Sequence, residues 1–172
     1  MSYSTVVAEI ADPASYFQKN FYIESQLISL ELNENEGFFE LVVRQLWESE
    51  EDLWREMPEK PTNPSPSKFH CLKFLGVNHF QSQDRWIRNK EGEIKLESCY
   101  ANLLIQDLQI NSKNGKWHIL LNFAWDTKCE FDFSNLLVSC RFGYAKKRQN
   151  GEDFEYIDTE TNQAFNFYKP FD

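Results

Sequence analysis

Three histidines, His70, His79 and His118, and four cysteines, Cys71, Cys99, Cys129 and Cys140, are the side chains here best suited to metal or nucleophilic chemistry. Their spacing supports neither strongly. No H-E-x-x-H, H-x-H or D-x-D pair occurs, so a metal site would need ligands that the fold gathers from distant segments. No C-x-x-C pair occurs, which argues against a zinc ribbon or a redox dithiol. Cys71 and His118 both fall in strand-like segments, and a thiol–imidazole pair across neighbouring strands would make a nucleophile. Yet Cys71 sits in an apolar run with no activating context, where a thiol behaves as a small hydrophobe. The cysteines are expected to be reduced and buried. The histidines are expected at the surface or at an interface.

Phosphoryl and nucleotide chemistry lack their usual signatures. Gly37, Gly76, Gly92, Gly115, Gly143 and Gly151 are isolated, with no G-x-S-x-G, Walker-type or dinucleotide-binding pattern among them. No cofactor is expected. Carboxylates are denser. Glu48, Glu50, Glu51, Asp52, Glu56 and Glu59 form an acidic patch that reads as a solvated helix face or as a docking surface for a basic protein. Paired catalytic carboxylates fit less well, because nothing nearby in the sequence raises the pKa of one of them. Asp84, Arg85 and Trp86 form a polar–aromatic cluster that, with His118, would rim a pocket if one exists. Lys146-Lys147-Arg148 is the only basic triplet and abuts a predicted turn.

The totals narrow the partners. Asp and Glu number 27 against 18 Lys and Arg, a formal charge of −9 over 172 residues. Such a charge repels phosphate backbones and anionic membranes at long range and suits a basic partner. Nucleic acid and membrane partners are therefore not expected. The start of the chain has no basic region and only a short apolar run, so a cytoplasmic location is the default. Phenylalanine is abundant at 15, with 7 Tyr and 5 Trp. Large rings fill a sheet core and favour pleated backbone.

The elements that position these residues are mostly strands. Asp12-Pro13 signals a helix start, and the helix should end near Lys19-Asn20 with Tyr16 and Phe17 pinned to the sheet. Ile23–Leu32 and Phe38–Trp47 read as a hairpin about the polar turn at 33–37. Ser49–Met57 carries a capping-box pattern and reads as a second short helix. Four prolines within residues 58–66 make 58–67 an exposed loop within one domain. Phe69–Leu75 alternates as a strand, and Gly76–Phe80 should turn or bulge it. Leu103–Ile110 and Trp117–Trp125 flank Asn111–Gly115, the strongest hairpin signal in the chain. From Cys129 the alternation resumes, then changes parity at Ser134-Asn135, where a bulge or turn would keep both halves facing the core. A last hairpin is predicted about Gln149–Gly151.

The sum is a mainly β, β-rich α+β fold spanning 1–172 as a single domain. It should contain about seven to nine mostly antiparallel strands and one or two short helices. A curved sheet, a sandwich or a partly open barrel all satisfy the periodicity. Phe69–Phe80, Trp117–Phe123 and Phe131–Val138 resemble, in aromatic alternation alone, the sheet pattern of small immunity-type proteins. Two functional classes follow. One is a non-enzymatic interaction module for a basic protein, as that resemblance also implies. The other is a barrel-like protein holding a small apolar ligand, or an enzyme built on such a pocket.

Overall fold

A computed structural model describes residues 8–20, 22, 25–44, 66–83, 87–90, 93–96, 104–124, 127–147, 154–158 and 161–163. Its elements in chain order are β1 (Ala8–Ile10), α1 (Pro13–Lys19), β2 (Gln26–Asn33), β3 (Phe38–Arg44), β4 (Pro66–Leu75), β5 (Asn78–Gln83) and β6 (Ile87–Lys90). Then come β7 (Glu93–Leu96), β8 (Ile105–Lys113), β9 (Lys116–Phe123), β10 (Thr127–Phe133), β11 (Asn135–Lys147) and β12 (Phe154–Asp158). Eight strands form one sheet in the order β1-β11-β4-β3-β2-β7-β6, with β12 pairing the far half of β11. The other four form a second sheet, β5-β10-β9-β8. Every pairing is antiparallel and both sheets are open.

Two strands change sheet at adjacent corners. β4 belongs to the large sheet, and the chain turns at Gly76 into β5 of the small one. β10 belongs to the small sheet, and the chain turns at Ser134 into β11 of the large one. The corners touch: the Ser134 amide donates to the Leu75 carbonyl at 2.8 Å, and the Val77 amide to Gly37 at 3.0 Å. Gly76 has φ +64°, and a Cβ there would meet Ser134 Oγ at 2.6 Å. Only glycine satisfies both demands. A second seam joins the sheets where Ile105 donates to the Ser25 carbonyl at 3.0 Å and Gln26 bridges to Leu104.

The parity of each strand then decides what meets between the sheets. Leu30, Leu32, Phe39, Leu41, Val43, Leu72, Phe74, Leu136 and Val138 face inward from the large sheet. Ile105, Ile119, Leu121, Phe123, Cys129, Phe131 and Phe133 answer from the small one. The expected inward face of β9 and β10 is therefore present, with Trp117 only half-buried at its end and Trp125 outside the described residues. Rings from the two sheets interlock at centroid distances of 4.8 Å for Phe39–Phe131, 4.9 Å for Phe74–Phe133 and 5.1 Å for Phe74–Phe131, all edge-on. Edge-on contacts add to the gain from burial itself.

The helix forms for the reasons its sequence gives. Asp12 Oδ1 accepts from the Ser15 amide at 3.1 Å, and Pro13 occupies the first turn. Phe17 is buried and lies parallel to Phe74, so α1 closes part of the core. The β8–β9 hairpin turns through Asn114 at φ 53° and Gly115 at φ 76°, two consecutive left-handed residues as a twisted two-residue hairpin requires.

Twelve strands stand among the described residues, against a reading of seven to nine. The additional ones, β1, β5 and β6, run only 3, 6 and 4 residues. Too few positions repeat in them for alternation to register, and β5 follows directly on the turn at Gly76. Pro66 and Ser67, read as loop, open β4 opposite Tyr144 and Gly143; a first strand position tolerates proline. The helix expected at 49–57 and the rest of the loop, 58–65, lie outside the described residues.

Phe74→Ala should lower unfolding free energy by about 3–5 kcal/mol in urea, because the ring is fully buried among four others. Gly76→Ala should cost more than Gly115→Ala. Both force a left-handed alanine at about 1–2 kcal/mol, but only the first also displaces Ser134. Equal losses would show that the corner contact is slack.

Candidate functional site

The outward face of the small sheet gathers the polar chemistry. Because side chains alternate, the residues that leave Ile119, Leu121, Phe131 and Phe133 inside put His118, Leu120, Glu130 and Asp132 outside. His118 on β9 lies directly opposite Asp132 on β10, and Glu130 is its diagonal neighbour. The ring Nδ1 lies 2.6 Å from Asp132 Oδ1, and Nε2 lies 2.7 Å from Glu130 Oε1. Ionised carboxylates only accept, so this geometry suits a ring that donates from both nitrogens, the imidazolium. Asp132 is shared: its Oδ2 accepts from His79 Nδ1 at 3.0 Å across the β5–β10 seam. His79 sits at φ 53°, a left-handed conformation uncommon for a residue with a Cβ, and this hydrogen bond accompanies it.

The electrostatics follow from those contacts. The hydrogen bond to Asp132, joined by that to Glu130, holds the His118 midpoint above the ordinary histidine range. The same bond from His118, joined by that from His79, holds Asp132 below the usual carboxylate range. His118 and Asp132 are about a quarter exposed and Glu130 rather more, at 40 %, so water screens the network and limits its worth to stability. In that doubly protonated form His118 offers no lone pair to a substrate proton or to a metal. Among the described residues no group of three His, Cys, Asp or Glu side chains is arranged to hold a metal ion.

A second polar chain lies inside. Tyr16 Oη and Tyr22 Oη are 2.5 Å apart, Tyr22 Oη is 3.3 Å from His70 Nδ1, and Cys140 Sγ is 3.5 Å from the same nitrogen. It ties α1 to β4 and β11 through the buried end of the core. Burial, with the Lys68 charge adding to it, pushes the His70 midpoint down to about 4. Such an imidazole stays neutral and cannot keep a proton taken from a thiol, whose ordinary pKa is about 8.5. His70–Cys140 is therefore a structural contact and not an activated nucleophile.

The sequence-predicted residues are distributed as follows. His118 is on the outward sheet face with Asp132 and Glu130. Asp84, Arg85 and Trp86, its proposed companions on a pocket rim, lie outside the described residues. So do Glu48, Glu50, Glu51, Asp52, Glu56 and Glu59. The Cys71–His118 pair does not form, because β4 and β9 belong to different sheets. Cys71 points away from His70, on the other parity of β4, and burial raises its thiol to about 11. Cys129 is buried, and Cys71 and Cys140 are partly buried; Cys99 lies outside the described residues. The Glu130–Asp132 pair escaped sequence reading, although Glu-x-Asp on a strand facing a hairpin partner with His was its visible signal.

Fold and site together define a two-sheet antiparallel β protein with a histidine–carboxylate network on the outward face of its smaller sheet. The chain matches no protein-family model, no curated relative and no solved structure. Among the described residues no helix is long and apolar enough to cross a membrane.

The buried histidine sets an acid limit. Its folded midpoint lies below the ordinary value of about 6.5, so its stabilising effect is complete above about 6.5 and is lost as pH falls towards 4. The loss is on the order of 3 kcal/mol. Urea unfolding of the parent and of His70→Phe at several pH values should show this slope in the parent only. Parallel pH profiles would mean that His70 titrates normally.

Proposed function

We propose that the protein is a non-enzymatic interaction module that takes a basic protein partner, with the outward face of the small sheet in its recognition surface. The carrying observation is the division of chemistry between the two sides of that sheet. The inward side is filled by rings in edge contact. The outward side presents carboxylates whose positions histidines fix. Asp132, held by two histidines, would lose little side-chain entropy when a partner's lysine or arginine reaches it. The formal charge of −9 favours encounter with a cationic surface over long range. The acidic stretch Glu48–Glu59 would extend the same attraction.

The alternative, a ligand-holding barrel, draws less support. The sheets are open, and fully buried Phe39, Phe74, Phe131 and Phe133 occupy the space between them where a ligand would sit.

The test is affinity capture from the native host's lysate at low and at high salt. It uses the parent, Glu130→Gln/Asp132→Asn, and Glu50→Gln/Glu51→Gln/Asp52→Asn. A basic protein should be recovered at low salt, released at high salt, and recovered in several-fold lower amount by the first variant. Undiminished recovery by the first variant but not by the second would move the surface to residues 48–59. No protein at either salt, with a small molecule in the mass spectrum of the purified parent, would favour the ligand-holding reading.

A further inference from the structure

We infer that His118, Asp132 and Glu130 form a proton-operated latch: when the ring loses one proton, Glu130 is released and a corner of the sheet in which one imidazolium faces two carboxylates becomes more acidic. Valence sets the first limit. An imidazolium has two N–H donors, and here each meets a carboxylate oxygen, at 2.6 Å and 2.7 Å. A neutral imidazole has one N–H, so its other nitrogen would turn a lone pair towards a carboxylate. Two acceptors cannot share that contact, and one carboxylate must leave.

Geometry selects which. Asp132 lies directly opposite His118 in the register, and its second oxygen is held by His79 Nδ1 at 3.0 Å. Its side chain is short. Glu130 reaches His118 on the diagonal, is 40 % exposed, and has one more rotatable bond to swing into water. Deprotonation therefore keeps Nδ1–H···Asp132 and gives up Nε2–H···Glu130.

The groups facing His118 from each neighbouring element fix the direction. Asp132 and Glu130 come from β10, with Lys128 beyond Glu130. His79 comes from β5. Asn111 stands opposite on β8, with Lys113 and Gln109 on either side, and Lys116 precedes His118 on β9. Lys113, Lys116 and Lys128 are exposed and project into solvent, whereas the two carboxylates touch the ring, so the charged form is favoured. The sign follows. His118 has its folded midpoint above the unfolded value, so the latch is fully effective below about 6.5 and opens as pH rises through the folded midpoint. Asp132 has its midpoint lowered, so its contribution fails only as pH falls through the folded carboxylate midpoint.

Opening removes one positive charge and frees one carboxylate at the same place. If the interaction reading above holds, a basic partner would bind this face more tightly on the alkaline side. The latch itself does not depend on that reading.

The test is nuclear magnetic resonance on the full chain, following the His118 ring nitrogens and the Glu130 and Asp132 carboxyl carbons from about pH 5 to about pH 9. Below the transition both ring nitrogens should carry protons; above it the Nδ1–H tautomer should remain. The Glu130 carboxyl carbon should shift with the same midpoint as the ring. In Glu130→Gln the midpoint should move down, and in Asp132→Asn further down. A His118 ring already neutral at about pH 6, or a Glu130 carbon indifferent to the ring's titration, would overturn the latch in the parent protein alone. Failure to capture a partner would leave these signals unchanged, so the two results are separable.

Discussion

The close approach of the two corners at Gly76 and Ser134 is the constraint on which the rest depends. Two strands leave one sheet for the other at this point, and a side chain at Gly76 would collide with Ser134 Oγ at 2.6 Å. Because β4 runs into β5 and β10 runs into β11 here, the three strands carrying Phe74, Phe80, Phe131 and Phe133 are held at one end of the interior. The rings then have no freedom to slide: Phe80 stacks on Phe131 at 5.6 Å, and Phe74 is edge-on to Phe131 and Phe133. Ring packing and the corner are mutually dependent, since neither sheet has a closed barrel's hydrogen bonding to hold it against the other.

Fixing the inward face fixes the outward one, because strand side chains alternate strictly. On the large sheet the outward row runs through Lys73, Glu40 and Glu31 on adjacent strands. Burial raises the Glu40 carboxyl; Lys73 opposes that rise and Glu31 adds to it. Lys73 also lies over the Phe38 ring at 4.3 Å from its centroid. On the small sheet the same rule places His118 against Asp132. The polar network is thus a consequence of core packing: moving β10 by one residue would bury Asp132 and expose Phe131.

Much of this was legible in the residues. The helix start at Asp12-Pro13, the Asn-Gly turn of the β8–β9 hairpin, the inward set on β9 and β10 and the parity change at Ser134 each have a local cause. What that change does was not legible: a parity break can be a bulge within one sheet or a corner between two, and only contacts with a segment some sixty residues away, at Gly76, decide it. The site was half legible for the same reason. His118 stood out as a residue, but its partners were invisible until the β9–β10 register set Asp132 opposite it. Metal-ligand motifs were the wrong template, since a single histidine bridged by two carboxylates has no fixed local spacing.

The two histidines show how strand position alone separates identical side chains. His70 and His118 each follow or precede a residue of opposite facing in an apolar strand, and nothing local distinguishes them. His70 points between the sheets, loses water, and meets a tyrosine hydroxyl and a thiol, neither of which can balance a positive charge. His118 points outward and meets two carboxylates, which can. Desolvation rules the first and drives it neutral; charge-assisted hydrogen bonds rule the second and keep it protonated. One ring therefore tightens the core only when uncharged, and the other bridges both carboxylates of β10 only when charged. Their contributions to stability run oppositely with pH: that of His70 is complete above about 6.5 and fades as pH falls towards 4, and that of His118 is complete below about 6.5 and fades as pH rises through its folded midpoint.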